Sequence, residues 1–277
     1  MRGRVLVLAY HNVVPDDAVG SGDRSLHLAL SSFRAQLDLL VRTHDVVPIA
    51  DVLRDKGRSN RPSAVITFDD GYLGAVNLAI PELGRRGLPA TVFVAPGLLG
   101  KYPWWDRWIP PGHSEWDAGV RDRLLREYAG DDIAIEDWAR RAGWTENALR
   151  CWYRVATEDE LTTGLAQDGI SVGCHSWSHR NLAAITGPEV GDEIRRSMTW
   201  IVERFPSPVY WLAYPYGLSS TESIAAARSA GLVGGFRVSG GWLQSTNADT
   251  FGLNRCNVTA GFTAAGFQLR TSGLVSR

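Results

Sequence analysis

Cysteine is scarce: Cys151, Cys174 and Cys256 are the only three in 277 residues. Three scattered thiols cannot build a disulfide framework or an all-cysteine zinc site, so they are expected to be reduced and mostly buried. Long apolar runs are missing too. Nothing approaches the roughly 18 consecutive apolar residues of a membrane span, and no span is expected. A surplus of basic charge is also lacking, with 29 Lys and Arg against 30 Asp and Glu and a net charge of −1. A protein that grips nucleic acid by its phosphates needs such a surplus, which argues against a nucleic-acid partner. The opening segment has little of a secretory leader. Its apolar stretch, Val5 to Ala9, is too short and no small-residue cleavage site follows. It reads as a first β-strand, and a cytoplasmic location is the expectation. No repeat or low-complexity tract is visible.

What is present is an ordinary globular composition, 44 % hydrophobic and 21 % charged. A chain of this length buries most of its unfolded surface without staples, and α/β barrels routinely use this much chain for one domain. A single domain over residues 1–277 is therefore expected. Strand candidates recur: Arg4–Ala9, Ala64–Phe68, Thr91–Ala95, Ile170–Cys174, Val209–Ala213, Val233–Val238 and Gly252–Val258, with Val46–Ile49 a weaker eighth. Most are near-continuous apolar runs, the signature of strands covered on both faces. Between them lie helical stripes, Phe33, Leu37, Leu40 and Val41 in one, Ile194, Met198, Ile201 and Phe205 in another. Thr157 with Glu160 and Ser219 with Glu222 have capping-box spacing, and Gly231 reads as the left-handed stop of the second of these helices. Such alternation implies a parallel sheet, open or closed into a barrel.

One segment breaks the rhythm for about 60 residues, longer than structureless loops usually run in compact domains. It holds Trp104, Trp105, Trp108, Trp116, Trp138, Trp144 and Trp152. Arg121–Tyr128 and Glu136–Arg141 look helical, so a helical insertion over residues 100–156 is expected. Its tryptophans either pack a small core or, at Trp104 and Trp105, flank a sugar site, since flat aromatic faces stack on sugar rings. Both readings can hold for different residues.

Three clusters stand at the ends of predicted strands, where α/β sheets and barrels carry their sites. Thr67-Phe68-Asp69-Asp70-Gly71 sets two carboxylates side by side. These repel unless a cation or another partner relieves them. Capping of a helix near Tyr72 accounts for one of them, not both. His175-Ser176-Trp177-Ser178-His179 places two imidazoles on one side of a turn or curled loop, which suits a metal. Two His plus one Asp make a three-ligand site with an open position, the pattern of a catalytic metal. In Trp211 to Gly217, Pro215 and Gly217 fix a turn whose Tyr216 N–H could serve as an oxyanion donor. By itself that stretch also reads as an ordinary strand-to-helix connection.

The order TFDDG at 67–71, HSWSH at 175–179 and YPYG at 214–217 resembles the polysaccharide deacetylase family, the carbohydrate esterases of family four. Tyr10-His11-Asn12-Val13 resembles the first strand of a bacterial branch. The resemblance runs from Val5 to Val258, with the Trp-rich segment as an insertion. It implies a deformed (β/α) barrel of about seven parallel strands. It also implies roles. Asp69 would be the general base, and Asp70, His175 and His179 would hold a divalent metal, usually zinc. Ser176 would shape the histidine loop, and Tyr216 would supply the oxyanion N–H. The implied activity is removal of an N-acyl group, chiefly acetyl, from an amino sugar, a sugar nucleotide or a lipid-linked glycan.

The chain departs from that family at two places. The late Leu-x-His motif, source of the usual acid, is Leu253-Asn254-Arg255-Cys256 here, and no histidine follows His179. His11 is the remaining candidate, with a strand-end packing role as its alternative. The arginine that orients the base is replaced by Ala213, and Arg255 could reach across instead. Asp106, after Trp104 and Trp105, is a candidate for binding substrate or supporting the site from behind. His27 reads as structural, His44 as a helix end and His113 as solvent-facing. The two departures leave open a sugar-binding protein with a relic site, and the chemistry leaves open a deformylase or O-esterase. A glycosidase using Asp69 and Asp70 fails on geometry. Its carboxylates must face each other across about 5 to 9.5 Å, which chain neighbours rarely do.

Overall fold

The computed structural model describes residues 4–20, 22–53, 61–111, 118–244 and 249–274. His113 and Trp116 lie outside them. The centre is a parallel sheet whose neighbours follow chain order. β1 (Arg4–Tyr10) pairs with β2 (Ser63–Phe68), which pairs with β3 (Ala90–Val94). β4 (Ile170–Cys174) lies on β3, β5 (Pro208–Ala213) on β4 and β6 (Gly234–Arg237) on β5. β7 (Trp242–Gln244) runs antiparallel along the start of β1. The ring is closed in two halves: β8 (Leu253–Asn254) lies parallel on β6, and β9 (Cys256–Asn257) lies parallel on β1. The result is a nearly closed, deformed (β/α) barrel: the alternation of elements implies the parallel sheet, and the family resemblance implies the barrel.

Three expectations need correcting. The continuous strand Gly252–Val258 is broken at Arg255, because its two halves serve different neighbours and Arg255 turns inward between them. The weak eighth strand shrinks to Asp45–Val46 beside Ser63 and Ala64. Pro48, which has no N–H to donate, cannot extend it. The second capping box is shifted by one residue: Ser220 and Ser223 form it, while Ser219 Oγ accepts from Arg237 Nε at 2.7 Å and Glu222 from Gly187 N at 2.6 Å. Thr157 and Glu160 form their box as expected, and Gly231 has φ of 81°.

Helices α1 (Leu30–Thr43) and α2 (Ile80–Arg85) cover the first strands. The segment expected as an insertion follows, with α3 (Trp104–Arg107), α4 (Ala118–Glu127) and α5 (Asp132–Arg141). Trp104, Trp105, Trp108, Leu124, Ile135 and Ala139 pack together there, against Ala95 and Leu98 of the barrel. The remaining helices are α6 (Glu158–Gly164), α7 (Pro188–Arg204), α8 (Thr221–Ser229) and α9 (Ala264–Thr271). Among the described residues no helix is long and apolar enough to cross a membrane.

Strand alternation decides what reaches the barrel mouth. Leu6, Leu8, Ile66, Phe68, Val92, Val94 and Leu212 pack outward among the helices. Val5, Val7, Val65, Phe93, Trp211 and Phe236 fill the interior. Gly173 belongs to the inner series, where a Cβ would lie 2.6 Å from the Phe93 ring. Extending the inner series past the strand ends brings in Asp69 from β2 and His175 from β4.

Outside the barrel, Glu82 ties α2 to α1. It bonds Arg34 Nε at 2.9 Å and Arg86 Nη1 at 2.7 Å, and Arg85 as well. Burial alone would push its carboxyl up, but Arg85, Arg86 and Arg34 hold it down at about 2. A lowered folded-state pKa contributes stability above the ordinary carboxylate range, and that stability is lost as pH falls toward 2. The arginines are partly exposed, so screening reduces the contribution to about 1–2 kcal/mol. Glu82→Gln should therefore lower stability by that amount at pH 7 and by progressively less below pH ~4, as read from denaturant unfolding across pH.

Candidate active site

Neighbouring residues of a strand point to opposite sides, so Asp69 and Asp70 would diverge if β2 simply continued. They do not, because Asp70 adopts φ of 70°. The left-handed turn, with Gly71 N donating to Asp69 O at 2.9 Å, brings both carboxylates to the barrel mouth. Neither caps a helix: the following helical turn makes no side-chain cap.

Asp70 faces the two histidines. Its Oδ1 lies 3.3 Å from His175 Nε2 and 3.1 Å from His179 Nε2. All three side chains are buried, and one ligand atom from each lies within 4.8 Å of the others. His175 Nδ1–H donates to Ala213 O at 2.7 Å, which leaves Nε2 as the nitrogen with a lone pair to offer a cation. Asp70 Oδ1 is buried with no hydrogen-bond partner among the described residues. Tetrahedral ligation with bonds of about 2.0–2.1 Å sets neighbouring ligand atoms roughly 3.3 Å apart. The observed spacings and the donor set of one carboxylate and two imidazoles therefore fit a divalent ion. Burial pushes the Asp70 carboxyl up, but His179 and His175 hold it well below the usual carboxylate range.

Asp69 stands beside that group with a partner of its own. Arg255 Nη1 and Nη2 donate to Asp69 Oδ1 and Oδ2 at 2.7 and 2.6 Å. Arg255 is 0 % exposed. Its guanidinium also donates to Thr67 Oγ1 at 3.1 Å and lies against the Phe93 and Phe236 rings. Burial raises the Asp69 carboxyl, and Arg255, helped by His175, lowers it below its ordinary value. Arg255 thus occupies the place beside Asp69 that the sequence left open.

These groups open into a cavity of about 120 Å³, lined by His11, Asp69, Asp70, Trp105, His175 and His179 together with Tyr216. The Nδ1 of His11 is buried with no hydrogen-bond partner among the described residues. Burial lowers the His11 pKa, outweighing the pull of Asp69 and Asp70 in the other direction. Tyr216 has φ of 59° in the Pro215–Gly217 turn. Its ring packs on His179 with centroids 4.7 Å apart, and its hydroxyl accepts from Trp104 Nε1 at 3.2 Å. Trp105 also packs on His179, at 4.8 Å, and its ring meets the Tyr216 ring edge-on at 5.9 Å. Trp104, Asp106, Ser176 and Arg255 lie behind the lining, not in it. Ser176 Oγ accepts from His179 N at 3.1 Å.

Asp106 belongs to a buried chain that sequence reading did not assemble. Trp105 Nε1 donates to Tyr72 OH at 2.8 Å, and Tyr72 OH donates to Asp106 Oδ2 at 2.6 Å. His27 Nε2 meets Asp106 Oδ1 at 2.8 Å, and Asn12 meets His27 Nδ1 at 3.0 Å. Leu-His-Leu around His27 marks a buried histidine, but nothing in the sequence pairs it with Asp106. Arg121 and Asn257 also line the cavity and carried no motif that marked them; Tyr214, which lines it too, opens the YPYG stretch but was given no role.

The profile of the polysaccharide deacetylase family matches residues 56–235. YxkH of Bacillus subtilis (strain 168), which carries that family's name, is 22 % identical over 265 residues, covering 94 % of this chain and 74 % of its own. The Streptococcus pyogenes deacetylase PplD, solved with acetate, superposes with a TM-score of 0.66 at 15 % identity, covering 98 % of this chain and 99 % of its own. IcaB from Ammonifex degensii gives 0.63 at 20 % identity, with 95 % and 97 % covered.

Removing one partner of a buried ion pair leaves an uncompensated charge, at a cost of about 3–5 kcal/mol, whereas replacing both by apolar groups is often near neutral. Arg255→Met should destabilise by that amount in denaturant unfolding. Adding Asp69→Leu should recover most of it. Equal stability of Arg255→Met and the wild type would contradict the pairing.

Proposed function

This chain belongs to the polysaccharide deacetylase family, and from that premise we propose that it is a metal-dependent hydrolase that removes an N-acetyl group from an amino sugar. The observation that carries the reading is the division of labour between neighbouring carboxylates. Asp70 converges with His175 and His179, while Asp69 stays outside that set and is gripped by Arg255.

Asp70, His175 and His179 would hold the ion, zinc being the best match to one oxygen and two nitrogens. When bound, such an ion supplies a Lewis acid and lowers the pKa of water from about 15.7 to about 7. Asp69, ionised and fixed by Arg255, takes the proton of the attacking water as its oxygen bonds to the acyl carbon. The Tyr216 peptide N–H donates to the oxyanion that develops on the acyl oxygen. The proton that Asp69 takes from the water passes by way of His11 to the leaving nitrogen as the C–N bond breaks, so that acetate and a free amine depart. Trp105 and Tyr216 both pack on the His179 ring and hold it in place.

The cavity bears on the substrate. At about 120 Å³ it is smaller than the roughly 300–1,000 Å³ of pockets that enclose whole ligands. An acyl group and a water fit, and the sugar lies at the mouth against the insertion. An N-acylated amino sugar, free, nucleotide-linked or lipid-linked, meets that description.

The test is acetate release from N-acetylated sugars by the purified chain. Exhaustive chelation should abolish release and zinc should restore it; undiminished activity after chelation overturns the metal mechanism. Asp69→Asn should reduce kcat by about 10²–10⁴ while elemental analysis finds metal retained. Asp70→Asn should lose both metal and activity. His11→Ala should lower kcat with metal content unchanged, and a full rate in that variant removes His11 from the reaction.

A further inference from the structure

The loop carrying His175 and His179 holds two non-glycine residues in the left-handed region, Ser176 at φ of 61° and His179 at 59°. Each costs of order 1–2 kcal/mol and persists only where the surroundings over-determine it. The His175 end is fixed by the barrel, through its N–H to Val94 O at 3.1 Å and its ring to Ala213 O at 2.7 Å. The stretch leading to His179 is fixed from outside the barrel by one side chain. Trp177 N and Ser178 N both donate to Glu193 Oε2, at 3.0 and 2.9 Å, and Ser178 Oγ donates to Glu193 Oε1 at 2.6 Å. Glu193 projects from α7. Arg196, three residues on, lays its guanidinium over the Trp177 ring at 3.8 Å. Gly97 N closes the turn from the other side by donating to Trp177 O at 2.7 Å.

We propose that Glu193 is a positioning residue for the metal ligands. It sets the distance between the two imidazoles by clamping the two residues that lead into His179. This role rests on the metal reading above. Glu193 bonds neither imidazole, so it acts wholly through residues 177 and 178. Without the clamp, His175 stays anchored while the approach to His179 loosens, and the three-ligand cluster loses its fixed spacing. Groups that orient ligands from behind typically change metal affinity by about 10–100-fold. Glutamine can replace the carboxylate in this role: its oxygen can accept both amides, and its NH₂ can donate to Ser178 Oγ, since a hydroxyl both donates and accepts. Aspartate is one methylene too short.

The experiment titrates Co²⁺ into the metal-stripped full chain against a competing chelator, with the cobalt absorption band reporting ligand geometry. Thermal unfolding is followed in parallel. Glu193→Ala should bind Co²⁺ about 10–100-fold more weakly, with a shifted band. Glu193→Gln should stay within a few-fold of wild type. A purely structural role would lower the unfolding temperature and leave the affinity of the folded protein unchanged, and that result overturns the proposal. Should Glu193→Ala not fold, Glu193→Asp serves: weakening of about tenfold is expected, and wild-type affinity overturns the proposal. A wild-type chain that binds no Co²⁺ sinks the metal reading together with this one. A wild type that binds, matched by Glu193→Ala, sinks only the role of Glu193.

Discussion

Asp69 and Asp70 are chain neighbours, both buried at the barrel mouth, so each needs its own positive partner or must give up its charge. Much of the architecture around the mouth answers that need. The left-handed turn at Asp70 keeps both carboxylates at the mouth. The break in the last strand frees Arg255 to reach Asp69, and the loop after β4 brings two imidazoles to Asp70. One carboxylate is thereby committed to a guanidinium and remains outside the ligand cluster. The other is left to a pair of nitrogens that a cation can share.

The insertion is part of the same arrangement. Trp105 of α3 packs on His179, and its indole N–H runs through Tyr72 to Asp106 and His27. Trp104 donates to the Tyr216 hydroxyl, where Gly130 makes room, since a Cβ there would lie 2.7 Å from that oxygen. Asn181, just past His179, donates from its backbone to Ala129 O and from its side chain to Leu125 O. The insertion therefore contacts the histidine loop, the Pro215–Gly217 turn and the first βα connection. Its tryptophans do two kinds of work: Trp104 and Trp108 fill its core, and Trp105 forms cavity wall.

Much of this was legible in the sequence, and the reason is local. Asp69, Asp70, His175 and His179 follow strand ends directly, so spacing along the chain translates into spacing in the barrel. The strands themselves were legible because both faces are covered and their apolar runs are continuous. The boundaries that failed lay where tertiary partners decide. Gly252–Val258 was read as one strand, because only the fold shows that its halves pair with β6 and β1. Ser219 and Ser220 were equally good caps by chemistry, and the pull of Arg237 on Ser219 settled between them. The His27–Asp106 contact joins residues 79 apart, and Glu193 reaches the loop from the middle of a helix, where a half-buried glutamate looks like any other. No periodicity or motif marks such long-range contacts.

The charges at the mouth support the same reading from a different side. Asp69 and Asp70 contribute two negative charges and Arg255 one positive, so with neutral imidazoles the buried sum is one negative. A proton on an imidazole brings it to zero, and His175 is the histidine whose pKa is raised: burial opposes the charge, but Asp69 and Asp70 favour it more. Such a proton would occupy the nitrogen that a metal needs, so metal uptake and proton release are linked. A divalent cation between Asp70 and neutral imidazoles would make the sum one positive, the sign that favours a developing oxyanion. A net negative pocket would instead repel that oxyanion. The same arithmetic explains why Arg255 matters although it lines no part of the cavity: without it, a divalent ion would only neutralise the two carboxylates, and no positive charge would remain for the reaction.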